Sequence, residues 1–181
     1  MIMQNEPNGV SFDWQEEPAS NYTVGRGGGK PTLIIIHDME ASAAVGEAWL
    51  KNPASHVSAH YGIDGYGAIV KMVREHDTAW HCGNWDYNLK SVGIEHEGHA
   101  ATPADYTPAM LAASAKLVAE ICHRWGIAVD RKHIIGHAEV PDPDHAGQFG
   151  GSGHHTDPGA GWPWGKYIGL VQNALDALHS K

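Results

Sequence analysis

Residues 32–37 read TLIIIH, a nearly continuous apolar run between Pro31 and Asp38. A short run of this kind, bounded by chain-breaking and polar residues, predicts a central strand that is buried on both faces of a sheet. Strand and helix patterns are mixed along the rest of the chain. We therefore expect an α/β fold with a central mixed β-sheet flanked by α-helices.

Hydrophobic periodicity and turn signals predict the other elements. Helices are expected over residues 41–52, 107–125 and 164–178, and the second has Thr107 as its N-cap and Gly126 after its end. Strands are expected over residues 60–64 and 68–73, which flank a Gly-Tyr-Gly turn, and over residues 91–98 and 133–136. Irregular structure is expected over residues 1–31, 74–90 and 141–161. The last of these is a long Gly/Pro/Asp/His loop of a kind that is usually functional or disordered.

Length and charge restrict the function. A chain of 181 residues is sufficient for a single domain. Lys and Arg number 12 against 21 Asp and Glu, so no basic surplus exists to bind nucleic acid or an anionic membrane surface. No apolar run approaches the ~20 residues of a membrane span. Residues 1–18 lack the basic and apolar regions of a secretory signal, so we expect synthesis in the cytoplasm without membrane insertion. We also expect a monomer.

Histidine and cysteine usage points to metal or acid–base chemistry rather than to disulfides. The 14 histidines outnumber Lys and Arg together, and neutral imidazole is the commonest metal ligand. A histidine-rich surface or a metal scavenger would give the same count. Cys82 and Cys122 are too few for a disulfide framework, and we expect them to be reduced.

Three residues end strands or open tight turns. His37 closes the central strand, His137 follows the strand at residues 133–136, and Asp157 lies in a TDPG turn. Side chains at strand ends can point into a shared crevice. Two histidines and one carboxylate, with a fourth position for water, would form a catalytic rather than a structural zinc site. Taken singly, His37 is more typical of a core histidine than of a metal ligand, and Asp157 is more typical of a turn residue.

Five stretches, in order, resemble the zinc-dependent N-acetylmuramoyl-L-alanine amidases, which share a fold with the peptidoglycan-recognition proteins. They are IIIHDMEAS, VSAHYGIDGYGAIVKMV, AWHCGNWDYNLKSVGIEHEG, IIGHAEVP and HHTDPGAGWPW. The resemblance implies a lead-in over residues 1–20 and an amidase domain over residues 21–181. It also implies one Zn²⁺ per chain and hydrolysis of the amide between N-acetylmuramic acid and L-alanine in peptidoglycan.

The resemblance also implies site residues. His37, His137 and Asp157 match the zinc ligands of the family, and Glu95 matches the general base of some branches. His155 stands where many members have a lysine that would stabilise the oxyanion. His145 and His154 compete with Asp157 as ligands, and His145 is the first substitute to test.

Four further residues are candidates for contact with the substrate: His60, Tyr61, His81 and Trp80. His60 and His81 are equally well explained as structural histidines. Other family branches use a tyrosine base where this chain aligns Ala59, so a tyrosine base is not expected even though Tyr61 lies nearby.

We favour a lytic, endolysin-like amidase and weigh three other functions against it. One is a cytosolic amidase that recycles muropeptides, and another is a module that binds muropeptides without cleaving them. A histidine-rich metal-binding protein without a substrate is the third. The N-terminal segment and the HDMEAS motif are more similar to the endolysin branch, whose members act on the bacterial cell wall.

Overall fold

The computed structural model describes residues 14–16 and 18–180. Six strands form one mixed sheet in the order β1-β5-β4-β7-β3-β8. Their bounds are β1 Trp14–Glu16, β3 Leu33–Asp38, β4 Tyr61–Ile63, β5 Ile69–Lys71, β7 Ser91–His96 and β8 Ile134–Gly136. Strand β2, Tyr22–Thr23, pairs with β6, Thr78–Ala79, in a separate antiparallel ribbon. The predicted mixed α/β sheet is confirmed.

The central strand β3 is buried as its composition predicts. Ile34, Ile35 and Ile36 have no exposed surface, and β3 pairs in parallel with both β7 and β8. The register sets His37 directly opposite Glu95. Because parallel strands end at the same edge of a sheet, the last residues of β3, β7 and β8 meet there, where His137 follows β8.

Helices cover the sheet. Their bounds are α1 Ala43–Lys51, α2 Trp85–Lys90, α3 Pro108–Trp125 and α4 Trp164–His179. The predicted start and end of α3 are confirmed, since Thr107 Oγ1 accepts a hydrogen bond from the backbone N–H of Met110 and Gly126 has a left-handed φ of 69°. On its buried face Ser114 Oγ lies 2.6 Å from the Tyr167 hydroxyl and 2.8 Å from His96 Nε2, so one small polar residue links α3, α4 and the sheet.

Two irregular segments of the prediction contain regular structure. Within residues 1–31, β1 pairs in parallel with β5 at the sheet edge and β2 pairs with β6. Within residues 74–90, the structure has β6 and the six-residue helix α2, in which Asn84 caps the N-terminus. Strands of two or three residues and a helix of under two turns are too short to show a period.

The remaining features of the fold agree with the sequence. None of the helices within residues 18–180 is long and apolar enough to cross a bilayer. Cys82 and Cys122 are buried and free, and burial raises the pKa of each thiol to about 12. Both are therefore unreactive structural residues.

Candidate metal centre and cleft

Three side chains converge where β3 and β8 end. Asp157 Oδ2 lies 3.0 Å from His37 Nδ1, and Asp157 Oδ1 lies 3.1 Å from His137 Nδ1. All three residues are buried, with exposed fractions of 1% to 6%. Their ligand atoms lie within 4.8 Å of one another. The residues singled out by strand ends and by the TDPG turn are therefore brought together.

A chain of hydrogen bonds fixes which nitrogen of His37 carries the proton. The Ser91 hydroxyl donates to the carbonyl of Tyr87 at 2.6 Å, so its oxygen accepts from His81 Nε2 at 3.0 Å. His81 Nδ1 then carries no proton and accepts from His37 Nε2 at 2.9 Å. In a neutral imidazole only one nitrogen is protonated. Nδ1 of His37 therefore presents a lone pair to Asp157.

This arrangement fits a metal cation. A lone pair and a carboxylate oxygen face each other at 3.0 Å, and a cation between them would remove their repulsion. Burial, followed by the neighbouring His137, lowers the pKa of His37 to about 4, which keeps the ring neutral. Burial raises the pKa of Asp157, but interactions with the neighbouring imidazoles, above all His137, outweigh it and hold that pKa well below its ordinary value. Two neutral imidazoles and a carboxylate are ligands typical of zinc.

Glu95 is the acid that lies beside the three ligands. Its Oε1 lies 4.0 Å from His37 Nδ1, and its Oε2 is buried without a hydrogen-bond partner among the described residues. Burial raises the pKa of Glu95 well above its ordinary value, and the charges of Asp157 and Asp38 raise it further. A carboxyl group with a raised pKa at a cleft is suited to both taking and returning a proton.

His155 lies at the rim of the same site. Its ring stacks on His137 with centroids 4.6 Å apart, and its Nδ1 lies 3.8 Å from Asp157 Oδ1. The side chain is 59% exposed, so it faces the cleft rather than the core. Burial of the ring, followed by His137, lowers the pKa of His155.

The TDPG turn that carries Asp157 is anchored from the side by residues that the sequence analysis missed. The Tyr106 hydroxyl lies 2.7 Å from Asp38 Oδ2 and 2.7 Å from the carbonyl oxygen of Pro158. Burial raises the pKa of Asp38 to about 6. Only the fact that Asp38 follows His37 could have signalled this contact in the sequence.

The structure separates the four candidates for substrate contact. His60 and Tyr61 are fully buried: His60 Nδ1 accepts a hydrogen bond from the backbone of Gly93, and the Tyr61 hydroxyl donates to Glu75. Both are structural residues, which corrects their placement on the substrate surface. Trp80 and His81 line the cleft.

The competing histidines form a group of their own. His145 and His154 lie with Asp142, while Asp157 lies with His37 and His137. The structure thus brings neither competitor to the place occupied by Asp157.

Residues 27–160 match the protein family described as N-acetylmuramoyl-L-alanine amidase. The chain is also 36% identical over 171 residues to N-acetylmuramoyl-L-alanine amidase A of Achromobacter lyticus, an alignment that covers 87% of this chain and 92% of the relative. The chain belongs to the N-acetylmuramoyl-L-alanine amidase family. It is therefore an amidase of the peptidoglycan-hydrolase class.

Solved structures confirm the fold of this amidase. A selenomethionine derivative of AmpD matches with a TM-score of 0.71 and 23% identity, over 93% of this chain and 99% of that one. AmiD from E. coli, in complex with the substrate anhydro-N-acetylmuramic acid-L-Ala-D-gamma-Glu-L-Lys, matches with a TM-score of 0.63 and 22% identity. That match covers 80% of this chain and 59% of AmiD. At these identities the likeness extends to the fold alone.

The cleft of the amidase has a volume of about 560 Å³ and opens above the three candidate ligands. Residues of helix α1 also line the cleft, and among them Val45 is 62% exposed and Trp49 is 57% exposed. The cleft thus joins a polar, buried end with an apolar, accessible wall. A ligand with a polar reacting group and an apolar or sugar-ring surface would be complementary to these two parts of the cleft.

Gly93→Ala is expected to weaken metal binding at the candidate centre by displacing His81. A Cβ at Gly93 would lie 2.5 Å from Nδ1 of His81, which positions His37. We expect a loss of about 1–3 kcal/mol in unfolding free energy and a metal affinity reduced about 10–100-fold. Thermal unfolding and zinc titration measure both. Gly169→Ala is the control, because nothing lies within 4 Å of its added Cβ. Unchanged affinity in Gly93→Ala would refute the role of His81.

The free energy of unfolding of the metal-free amidase is expected to decrease as the pH is lowered. Burial, with the charge of Arg26, lowers the pKa of His60 to about 3, and burial lowers that of His96 to about 4. Between about pH 6.5 and pH 5 these rings are protonated only in the unfolded chain, so each lowers the free energy of unfolding by up to about 1.4 kcal/mol per pH unit as the pH falls. Urea unfolding in chelator between about pH 6.5 and 5 measures the slope. A flat profile over this range would contradict the expectation.

Proposed function

We propose that this amidase is zinc-dependent and that His37, His137 and Asp157 hold one Zn²⁺ in the cleft. The observation that carries the proposal is the lone pair of His37 Nδ1, aimed by Ser91 and His81 at a buried carboxylate 3.0 Å away. When bound there, zinc supplies Lewis acidity, which polarises a carbonyl oxygen and lowers the pKa of water. The domain that performs this reaction would extend over residues 21–181.

We propose that Glu95 moves the proton of the reaction. Its Oε2, which has no hydrogen-bond partner within the part of the chain that the structure describes, takes a proton from the attacking water and delivers it to the nitrogen of the leaving L-alanine. The amide carbon–nitrogen bond breaks as a new carbon–oxygen bond forms, and the lactyl carboxylate of N-acetylmuramic acid is released. Burial and the charges of Asp157 and Asp38 raise the pKa of Glu95, so the carboxyl group holds the proton more firmly until it passes to the leaving nitrogen.

His155 would stabilise the negative oxygen that develops on the amide carbonyl. Its exposed ring at the rim can donate a hydrogen bond from an N–H, and its stacking on His137 fixes its orientation. Trp80 and His81 would border the bound substrate, and His81 would also position His37.

His155→Ala is expected to keep one zinc in the cleft and to lose activity. Removal of one oxyanion donor costs about 10²–10³ in kcat. His155→Lys should recover part of the loss, and because an ammonium stays charged until about pH 10, its activity should persist further on the alkaline side. Zinc stoichiometry and pH–rate profiles of the three proteins measure this. Loss of the cleft zinc in His155→Ala would instead make His155 a ligand.

We further propose a lytic, endolysin-like role on the intact cell wall. The open cleft with its accessible wall at Val45 and Trp49 supports this role, because a polymer must enter from the side. The test compares the release of fragments from intact sacculi with the cleavage of soluble anhydro-muropeptides, both followed by mass spectrometry. Preference for sacculi supports the lytic role; cleavage of soluble fragments alone would indicate recycling, and binding without cleavage would indicate a recognition module.

A further inference from the structure

A second group of metal-ligand side chains lies in the loop between His137 and Asp157. The ligand atoms of Asp142, His145 and His154 lie within 4.8 Å of one another, and none of the three residues lines the cleft. Asp142 Oδ2 lies 3.0 Å from His145 Nδ1 and 3.5 Å from His154 Nε2. A tetrahedral zinc site with bonds of about 2.0–2.1 Å has ligand atoms roughly 3.3 Å apart. The two distances from Asp142 Oδ2 lie close to this value, and the third pair lies within 4.8 Å.

The Asp142 carboxylate is oriented before any ion binds. Its side chain is shielded from solvent. Its Oδ1 accepts hydrogen bonds from the backbone N–H groups of Asp144 at 2.8 Å and His145 at 3.2 Å. Among residues 18–180 no lysine or arginine forms an ion pair with it. Oδ2 is therefore directed at two imidazoles, without a permanent positive charge to compensate it.

The loop backbone holds the two distant parts of this group together. The N–H groups of Gly150 and Gly151 both donate to the carbonyl of Val140, at 2.7 and 3.0 Å. This contact brings His154 beside Asp142, although twelve positions separate them. His154 itself has a φ of 52°, a left-handed conformation that glycine adopts more readily. The chain therefore has an imidazole side chain at a position where the backbone conformation favours glycine.

We propose that Asp142, His145 and His154 form a second site, separate from the cleft, for a divalent first-row cation such as Zn²⁺. Two imidazoles and one carboxylate are suitable ligands for this class of ion. The imidazole side chains are 60% and 48% exposed, which leaves room for water to complete the coordination. Bound there, the ion would tie the start of the loop to its end, next to His155, and so stiffen one rim of the cleft.

The test counts zinc in the whole chain. Protein is dialysed against buffered free Zn²⁺, and bound metal is measured by mass spectrometry. Wild type is expected to bind about two ions per chain. The double variant His145→Asn/His154→Gln and the single variant Asp142→Asn, which keeps an oxygen for the turn, are each expected to lose one. Hydrogen exchange of residues 141–153 should slow on zinc binding in wild type and not in the variants.

Two controls separate this site from the cleft and from surface histidines. His37→Asn should lose the cleft zinc and keep the loop zinc, so failure of the proposed function and failure of this site give different results. His179→Asn disrupts an exposed pair with His123, 3.2 Å apart, and should keep both ions. A single ion in wild type that is lost in His37→Asn and kept in the double variant, or a second ion that persists in the double variant, would overturn the proposal.

Discussion

Removal of zinc is expected to abolish amide cleavage, and added zinc to restore it. Lewis-acid activation by a metal contributes several kcal/mol to a hydrolytic transition state, so we expect a loss of at least about 10³-fold. The measurement is the rate of amide cleavage after treatment with a strong chelator and again after addition of Zn²⁺. Addition of Mg²⁺ is the control, because Mg²⁺ prefers oxygen ligands to imidazole. Full activity in metal-free protein would disprove the mechanism.

Loss of the loop ion alone should leave amide cleavage in place, whereas loss of the cleft ion should abolish it. His145→Asn/His154→Gln removes the proposed second site without touching His37, His137 or Asp157. If about one zinc per chain restores amide cleavage in the chelator-treated variant, the reaction is assigned to the cleft.

Glu95→Gln is expected to lower kcat by about 10²–10⁴-fold, because the amide keeps the shape of the side chain but cannot accept a proton. Zinc content should be unchanged, since Glu95 Oε1 lies 4.0 Å from His37 Nδ1 and belongs to no ligand group. Single-turnover rates on purified walls, together with metal analysis, measure both.

Glu97→Gln is the matched control for this variant. Glu97 lies two residues further along the chain, and its Oε2 accepts a hydrogen bond from the backbone of Gly65, a bond that an amide oxygen can also accept. Its activity should stay close to that of wild type. An activity of Glu95→Gln within about threefold of wild type would show that another group moves the proton.

The sequence predicted the fold wherever a segment carries its own signal. The run at residues 32–37 is apolar because β3 is buried on both faces, and Thr107 and Gly126 mark the ends of α3 by local chemistry. Strand β1 has no such signal, because its place depends on pairing with β5 across more than 50 positions. Non-local pairing of short strands leaves no pattern in the local sequence.

The same distinction holds for the site. His37, His137 and Asp157 could be predicted because each ends a strand or lies in a turn. The role of His81 could not, since it depends on the space above Gly93 and on the hydroxyl of Ser91. His60 occurs in an equally suggestive motif, yet it is buried beside Arg26 and Gly93. A histidine in a motif does not reveal whether its ring faces a cleft or the core.

The most direct test of the account is the identity of the bond that the zinc-loaded protein cleaves. Purified sacculi are incubated with the protein, new amino groups are labelled, and the labelled residue is identified by mass spectrometry. We expect labelled L-alanine at the start of free stem peptides and intact N-acetylmuramic acid in the glycan, with neither product in Glu95→Gln. Zinc-loaded wild type that releases no N-terminal alanine, or that labels another residue instead, would contradict it.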